Sequence, residues 1–553
     1  LDFVHFNGMS GELYFGEMMG QGAALVDYDG DGDLDVYLVQ GTMLGETPLE
    51  RATFPPAHSL PLSDRLYRND LEVRPDGTRT LRFTDVTEES GIARLATEYG
   101  MGVAAGDYDN DGDPDLYLTN LGPNQLFRND GPGEDGTVTF SDATAETGTG
   151  DPLWGVPAVF FDYDRDGWLD LFVGNYVDWR LATHKPCVSP MGAVDYCSPS
   201  SFNPEPDRLF RNRGRGADGR VTFEDVTTRS GVHAEYGAAL GATAADFDGD
   251  GWLDLYVAND GLPNQLWMNR RDGTFENAAL LAGCAVNEKG QAEASMGVVP
   301  GDFDGDGDLD LFMTHLERET NTLYANDGSG LFEDRSQESR LGLPSFPYTG
   351  FGVGLLDYDG DGRLDLFVAN GAVTLVEEQV RAGSKLPLAQ PNQLFRGLGD
   401  GRFEEVTAEA GAVFALLEVS RGVAVGDVDD DGDADLLVAN SAGPARLLVN
   451  ELGRDRPWLG LRLVTGDPPR DALGARVALH RDGAPTLWRR VATDGSYASA
   501  GDPRVLFGLG GPEAGSKATK VVVHWPSGRI EEFALPPAGA YTTLAEGAGT
   551  PME

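Results

Sequence analysis

Seven times along this chain a run of small apolar residues, an acidic nonapeptide and a second apolar run follow one another. In the second copy GVAAGD (Gly102–Asp107) leads into DYDNDGDPD from Asp107, and DLYLTN (Asp115–Asn120) leads out. Both flanks are short, almost wholly apolar and free of a helical period, which predicts two buried strands joined by the acidic stretch. A third apolar run follows each pair: DRLYRN at Asp64, NQLFRN at Asn124, DRLFRN at Asp207 and NQLWMN at Asn264, then NTLYAN at Asn321, NQLFRG at Asn392 and ARLLVN at Ala445. Six of the seven lead through a Gly-rich turn to a fourth: FTDVT at Phe83, FSDAT at Phe140, FEDVT at Phe223, FENAA at Phe275, FEDRS at Phe332 and FEEVT at Phe403.

Four strands in each of seven repeats predict an all-β, seven-bladed β-propeller. The missing seventh fourth strand has a candidate at the other end of the chain. LDFVHF (Leu1–Phe6) sits where such a strand belongs, and is expected to pair into the last blade and close the ring without a long exposed edge. The repeats stop near Asn450. Glu451 to Pro457 reads as a linker, and WLGLRLV, ARVALH, VLFGLG and KVVVHW read as short strands of a second, small β domain. The expected division is 1–453 and 454–553.

The nonapeptides carry the chemistry. Asp stands at positions 1, 3, 5 and 9 and Gly at 6 in every copy. The Gly permits a sharp turn, so the carboxylates converge, and the backbone carbonyl at position 7 completes an all-oxygen shell. Such a shell suits Ca²⁺ better than Mg²⁺, which demands a stricter octahedron. The ligand set is Asp27, Asp29, Asp31, Asp33 and Asp35; Asp107, Asp109, Asp111, Asp113 and Asp115; Asp162, Asp164, Asp166, Trp168 and Asp170; and Asp246, Asp248, Asp250, Trp252 and Asp254. It continues with Asp302, Asp304, Asp306, Asp308 and Asp310; Asp357, Asp359, Asp361, Arg363 and Asp365; and Asp427, Asp429, Asp431, Asp433 and Asp435. An EF-hand would need Glu at position 12 and flanking helices; that position is Leu38, Leu118, Val173, Val257, Met313, Val368 or Val438, between strands. About seven structural calcium ions are therefore expected.

Composition narrows the partners. Lys and Arg number 42 against 90 Asp and Glu, a formal charge of −48. That excludes a nucleic-acid backbone or an anionic membrane surface as partner. No run approaches the ~20 apolar residues of a membrane span. Extracellular calcium modules bind at about 10⁻⁴–10⁻³ M, so the expected location is secreted, periplasmic or at the cell surface. Leu1 opens directly into a strand-like run, as a mature N-terminus would. Cys187 and Cys197 flank a short loop; a disulfide there would add about 3 kcal/mol, and two buried free thiols are the alternative. Cys284 reads as a buried thiol.

Several phrases resemble the cartilage acidic protein family, whose FG-GAP/VCBS repeats are similar to the propellers of integrin α-subunits: HFNGMSGELYF at His5, YCSPSSFNPEPDRLFRN at Tyr196, NEKGQAEASMGV at Asn287 and AQPNQLFRG at Ala389. From Trp458 the tail resembles the ASPIC/UnbV domain of the same family, in DALGARV at Asp471, GSYASAGDPRVLFGLG at Gly495 and VVVHWPSGRIEEF at Val521. Tyr497 is followed by Ala-Ser-Ala where the family usually has Leu-Ser-Gln. The resemblance covers nearly the whole chain. It implies the fold, a calcium-binding propeller with a β tail, far more than any activity.

Loop lengths point to a ligand face. From loop start to third run is 17 to 19 residues in repeats 2, 4, 5 and 7, but 37, 45 and 35 in repeats 1, 3 and 6. All three insertions fall on the side opposite the Asp loops, and long loops on a rigid scaffold are where binding residues sit. The candidates are Trp179, Arg180, His184 and Tyr196, with Arg421 entering a first strand nearby. Tyr99, Trp154, Tyr236 and Tyr348 are expected around the same channel mouth, and Glu46, Glu50, Arg51, His58, Lys185, Glu377, Glu378 and Arg381 lie within the insertions. The alternative is that the insertions only pack on one another or on the tail. No HExxH, GxSxG or Walker motif is present. His315 and Glu317 form a conceivable acid/base pair or are ordinary loop residues. The leading reading is a non-catalytic scaffold or adhesion module for a protein or glycan. The alternatives are a carbohydrate-active lyase or hydrolase, and a subunit of a self-assembling surface structure.

Overall fold

Short apolar runs alternating with Gly- and Asp-rich turns leave no room for long helices. The computed structural model describes residues 1–188, 192, 194–454, 456–510 and 518–552, and consists almost wholly of antiparallel sheets with helices of one turn. Sheet 1 runs Ala23–Val26, Asp35–Leu38, Arg65–Asn69 and Phe83–Asp85, and sheet 2 runs Gly100–Gly106, Asp115–Asn120, Gly122–Pro132 and Val138–Asp142. Sheet 3 runs Gly155–Phe161, Asp170–Asn175, Arg208–Arg215 and Val221–Asp225; sheet 4 runs Ala239–Ala245, Asp254–Asn259, Gln265–Asn269 and Phe275–Asn277. Sheet 5 runs Val298–Gly301, Asp310–Met313, Thr322–Asn326 and Phe332–Asp334; sheet 6 runs Gly350–Leu356, Asp365–Asn370, Gln393–Gly397 and Phe403–Glu405. Sheet 7 has three strands, Ser420–Gly426, Asp435–Asn440 and Arg446–Leu448.

The first strands of successive sheets lie side by side, and that of sheet 7 returns to that of sheet 1. Close approach explains their small residues. A Cβ on Gly241 would stand 2.1 Å from the carbonyl of Met296, just ahead of the next first strand, and one on Gly297, beside that strand's start, 2.1 Å from the carbonyl of Phe351. Larger side chains sit further out: the second strands are buried along their length, and Tyr37, Tyr117, Phe172, Tyr256, Phe312 and Phe367 fill the spaces between sheets.

The N-terminal segment departs from expectation. Leu1–Phe6 is not a strand. It makes one isolated bridge, Val4 to Pro444, with His5 N–H donating to Gly443 O and Ala445 N–H to Phe3 O. Proline has no N–H to carry a ladder onward. Phe3 nevertheless enters the core shared by sheets 1 and 7, beside Leu25, Leu38, Ala424 and Leu437.

Beyond the linker, in which Asp455 lies outside the described residues, two further sheets form. One holds Arg470–Asp471, Trp458–Thr465 and Val505–Gly508, with Tyr541–Ala545 parallel to Trp458–Thr465. The other holds Leu487–Arg490, Arg476–Arg481, Ala518–His524, Ile530–Ala534 and Thr550–Pro551. Their apolar faces share one core, which continues into the outer part of sheets 2 and 3 through Leu169, Leu473 and their neighbours.

Candidate metal centres and the covers at either end

In each repeat the position-1 Asp follows the last residue of the first strand, and the position-9 Asp opens the second. Val26 pairs with Asp35, Gly106 with Asp115 and Gly426 with Asp435. The nonapeptide is thus the turn of a hairpin, held by its own carboxylates. In six loops the position-1 carboxylate accepts the position-6 Gly amide at 2.8–3.2 Å. In the fifth, Asp302 accepts Gly305 N–H instead, at 2.8 Å. The position-5 carboxylate accepts the position-7 amide in all seven, at 2.7–3.2 Å.

The position-9 Asp is the anchor. It is fully or almost fully buried in every repeat. One oxygen accepts the position-2 amide at 2.9–3.2 Å. The other accepts an amide of the third strand at 2.7–2.9 Å, from Asn69, Asn129, Asn212, Asn269, Asn326, Gly397 or Asn450.

Carboxylate oxygens from three Asp residues then come within 4.8 Å of one another: Asp27, Asp29 and Asp35; Asp107, Asp109 and Asp115; Asp162, Asp164 and Asp170; Asp246, Asp248 and Asp250; Asp302, Asp304 and Asp306. In six of seven loops at least one such oxygen is buried without a hydrogen-bond partner, on Asp27, Asp29, Asp109, Asp164, Asp246, Asp359, Asp429 or Asp433. Burial raises the pKa values: Asp27, Asp107, Asp302 and Asp357 to about 6, Asp162 and Asp427 to about 7, and the anchor Asp35 to about 9. Neighbouring aspartates push the same way. Arginines reach the carboxylates of five loops, Arg215 at Asp109, Arg211 at Asp164, Arg271 at Asp250, Arg363 at Asp361 and Arg454 at Asp431, yet orphaned oxygens remain in all five; crowded together, they are a donor set that a hard divalent cation would satisfy.

The third-strand asparagines were invisible as functional residues in sequence, although they end six of the seven third-run motifs. Each side-chain amide donates at 2.8 Å to the position-2 carbonyl of the preceding sheet's loop: Asn129 to Tyr28, Asn212 to Tyr108, Asn269 to Tyr163, Asn326 to Phe247 and Asn450 to Tyr358. Asn69 of sheet 1 reaches Val428 of sheet 7. Sheet 6 has Gly397 there, and Gly401 N–H donates to Phe303 O instead. Position-2 rings also meet the fourth-strand Phe of the next sheet, as Tyr28 meets Phe140, Tyr108 meets Phe223 and Tyr163 meets Phe275. Each loop is therefore built into the seam between sheets.

The C-terminal sheets cover the loop end. Their arginines donate to the position-6 glycine carbonyls: Arg504 to Gly32, Arg470 to Gly167, Arg476 to Gly307 and Arg489 to Gly362. Tyr541 O–H donates to Asp427, and the Trp458 ring lies against Gly432. From this cover residues 493–502 run down the middle of the ring. Thr493 donates to Ala105 O and Asp494 accepts Ala244 N–H. Ser496 pairs with Val298 and its hydroxyl accepts Val353 N–H; Ala498 O accepts Val103 N–H; Ala500 bonds Ala23 and Leu25; and Asp502 N–H donates to Val425 O. Those partners belong to the first strands of six different sheets. Tyr497, at the tip, is fully buried and accepts Gly20 N–H.

The other end is closed by the insertions. Phe15, Met18, Leu44, Tyr99, Trp154, Trp179, Tyr196 and Leu388 form one apolar cluster with Tyr497. This corrects three of the ligand-face candidates. Trp179 and Tyr196 are buried in that cluster, and Tyr196 O–H donates to buried Glu17. Arg421 is fully buried. Its guanidinium spends four of its five N–H donors on the carbonyls of Met18, Gly371, Ser420 and Ala372 and stacks 3.9 Å from the Phe351 ring centre, so it is closed off from a ligand. The expected open mouth is filled because the tail supplies a plug. Arg180 is exposed, paired with Glu205, and His184 is half-buried against Tyr14. A disulfide joins Cys187 and Cys197 in the same insertion, and Cys284 is a buried thiol. His315 is buried on Ser295 Oγ at 3.0 Å, with burial lowering its pKa to about 4.

Comparison with known proteins agrees with the repeat. The FG-GAP-like repeat model matches residues 107–173, 192–257, 246–313, 302–368 and 384–438, and the ASPIC and UnbV model matches 465–551. Cartilage acidic protein 1 of Homo sapiens is 26% identical over 535 residues, covering 92% of this chain and 69% of that protein. The Mus musculus protein of that name is 25% identical over 530 residues, covering 92% and 71%. Among solved structures, one described as the basis of specific recognition of non-reducing terminal N-acetylglucosamine by an Agrocybe aegerita lectin is 16% identical, with TM-score 0.39, over 71% of this chain and 90% of that one. A Bacillus licheniformis rhamnogalacturonan lyase is 13% identical, with TM-score 0.35, over 78% and 71%. With FG-GAP-like repeats over more than half its length, the chain belongs to the FG-GAP-like repeat family; it carries an ASPIC and UnbV domain behind the repeats and is similar to cartilage acidic protein 1 over most of its length.

Proposed function

We propose that residues 1–453 are a seven-bladed β-propeller holding about seven structural calcium ions, that residues 454–553 are its ASPIC/UnbV-like β domain, and that the whole serves outside the cytoplasm as a non-catalytic scaffold for a protein or glycan partner. The observation that carries the calcium reading is the buried carboxylate oxygen without a partner in six of the seven Asp loops. The residues fit the ion: three side-chain carboxylates converge, and the anchor Asp is held to the third strand whatever the loop does. Calcium supplies positive charge among carboxylates that burial disfavours, and at tenfold excess over its dissociation constant contributes about 1.4 kcal/mol per site. Seven sites reach the order of 10 kcal/mol, comparable to a domain's whole stability.

The cyclic order of first strands and the Asn69–Val428 bond between sheets 1 and 7 support the closed propeller. The Cys187–Cys197 disulfide and the calcium requirement support an oxidising, calcium-rich location. No described helix is long and apolar enough to cross a membrane. For the partner we retain the end away from the loops, narrowed to the surface of the sheet 3 insertion, where Arg180, His184 and Lys185 stand near exposed Leu181, Val188 and Val194. A melting series tests the stabilising role. Calcium removal is expected to lower the melting temperature by on the order of 10 °C, and magnesium is not expected to restore it. An unchanged melt after chelation overturns the reading.

A further inference from the structure

We propose that seating of the C-terminal domain and filling of the Asp loops are thermodynamically linked, so that the domain is a calcium-dependent clamp and plug. This rests on the calcium reading above.

The clamp grips one feature, the position-6 glycine. Its N–H is fixed by the position-1 carboxylate in every loop but the fifth, as in Gly167 to Asp162 and Gly362 to Asp357 at 2.9 and 2.8 Å; in the fifth, Asp302 holds the same turn through Gly305 N–H. Its carbonyl, on the other side of the same peptide chain, receives an arginine of the C-terminal domain in four loops. A fifth, Gly251, receives Arg165 of the neighbouring loop. The geometry holds only while the turn is closed around its carboxylates. Without a cation those carboxylates repel one another and the turn has reason to open; the part-buried bonds of Arg476 and Arg489 then lose an acceptor where an unpaired donor is costly. These bonds go to carbonyls, but the arginines also stand beside loop carboxylates, as Arg504 pairs with Asp430, so the grip and the charge act on calcium in opposite directions.

Linkage is reciprocal: if calcium favours the seated domain, seating favours calcium by the same factor. The plug is the part of the domain that responds, because residues 493–502 are held by backbone bonds to first strands whose ends carry the loops.

Two measurements on the full-length chain decide this. The first is hydrogen exchange of peptides covering 493–502, with calcium saturating and after chelation, with Asp254–Asn259 as the internal reference for global unfolding. Loss of calcium is expected to speed exchange in the plug about 10-fold while the reference stays protected. The second is calcium titration of Arg476→Met/Arg489→Met, which keeps the apolar stems and removes the grip. Deleting two positive charges near a cation site should by itself raise calcium affinity. The clamp predicts a fall of several-fold instead. If chelation unfolds the reference as well, the titration decides. Calcium binding with an unchanged plug, or a variant that binds calcium as tightly as the parent or more so, overturns the linkage alone. No calcium uptake at all overturns the scaffold reading and the linkage with it.

Discussion

The two ends of the ring solve the same problem with different chemistry. At the loop end a repeated motif places seven sets of aspartates, and a folded domain covers them through arginine–carbonyl bonds. At the other end no motif repeats. The cover is assembled from insertions in three sheets and the N-terminal segment, and it is aromatic and aliphatic, with polar groups satisfied internally, as Arg421 on backbone carbonyls and Tyr196 on Glu17. On the calcium reading proposed above, the loop end is expected to be tunable by ions and pH, whereas the opposite end is held by packing.

The sharpest way to break that contrast is to damage the packed end. Trp179→Ala is expected to cost about 3–5 kcal/mol through the cavity it leaves. Arg421→Met should cost a similar amount, because carbonyls of Met18, Gly371 and Ala372 lose their donor. Urea unfolding measures both, and neither should change the calcium content. Asn129→Ala, at the seam between sheets 1 and 2, removes the bond to Tyr28 O and is expected to cost about 1–3 kcal/mol. A cost within ~0.5 kcal/mol would mean the asparagine ties do not hold the ring. Arg180→Ala, on the surface of the same cap, should stay within ~0.5 kcal/mol while weakening partner binding.

pH sharpens the contrast from the loop side. Folding raises the loop carboxyls from 3.8 to about 6 or 7, so the calcium-free native state binds more protons than the unfolded chain above pH ~4. The chelated protein should lose stability as pH rises from about 4 to 7. Calcium holds the same groups ionised, so the loaded protein should show the opposite trend and release its ions on acidification through that window. Melting curves with and without chelator across the range should therefore diverge with increasing pH; parallel curves would remove the loops as the source.

Much of the loop end was legible in sequence because the repeat states it seven times. Asp at a fixed spacing, Gly at position 6 and strand-like flanks name the hairpin and its chemistry. The asparagine ties were equally repeated, yet an Asn at the end of a strand has no meaning until the neighbouring sheet's carbonyl is beside it. The packed end was misread in part. Trp179, Tyr196 and Arg421 have the character of binding anchors, and composition cannot tell an anchor awaiting a ligand from one already buried by its own chain. What decided their fate was Tyr497 and its flanking residues arriving from the tail, about 75 to 320 positions away. The same distance hid the arginine clamp, whose residues look in sequence like ordinary strand ends.

The central claim is that the Asp loops are calcium sites. Elemental analysis of the purified chain after equilibration with calcium tests it most directly, with Asp164→Ala analysed alongside. The account predicts close to seven calcium ions per chain and close to six in the variant. A folded protein that retains none or one contradicts it.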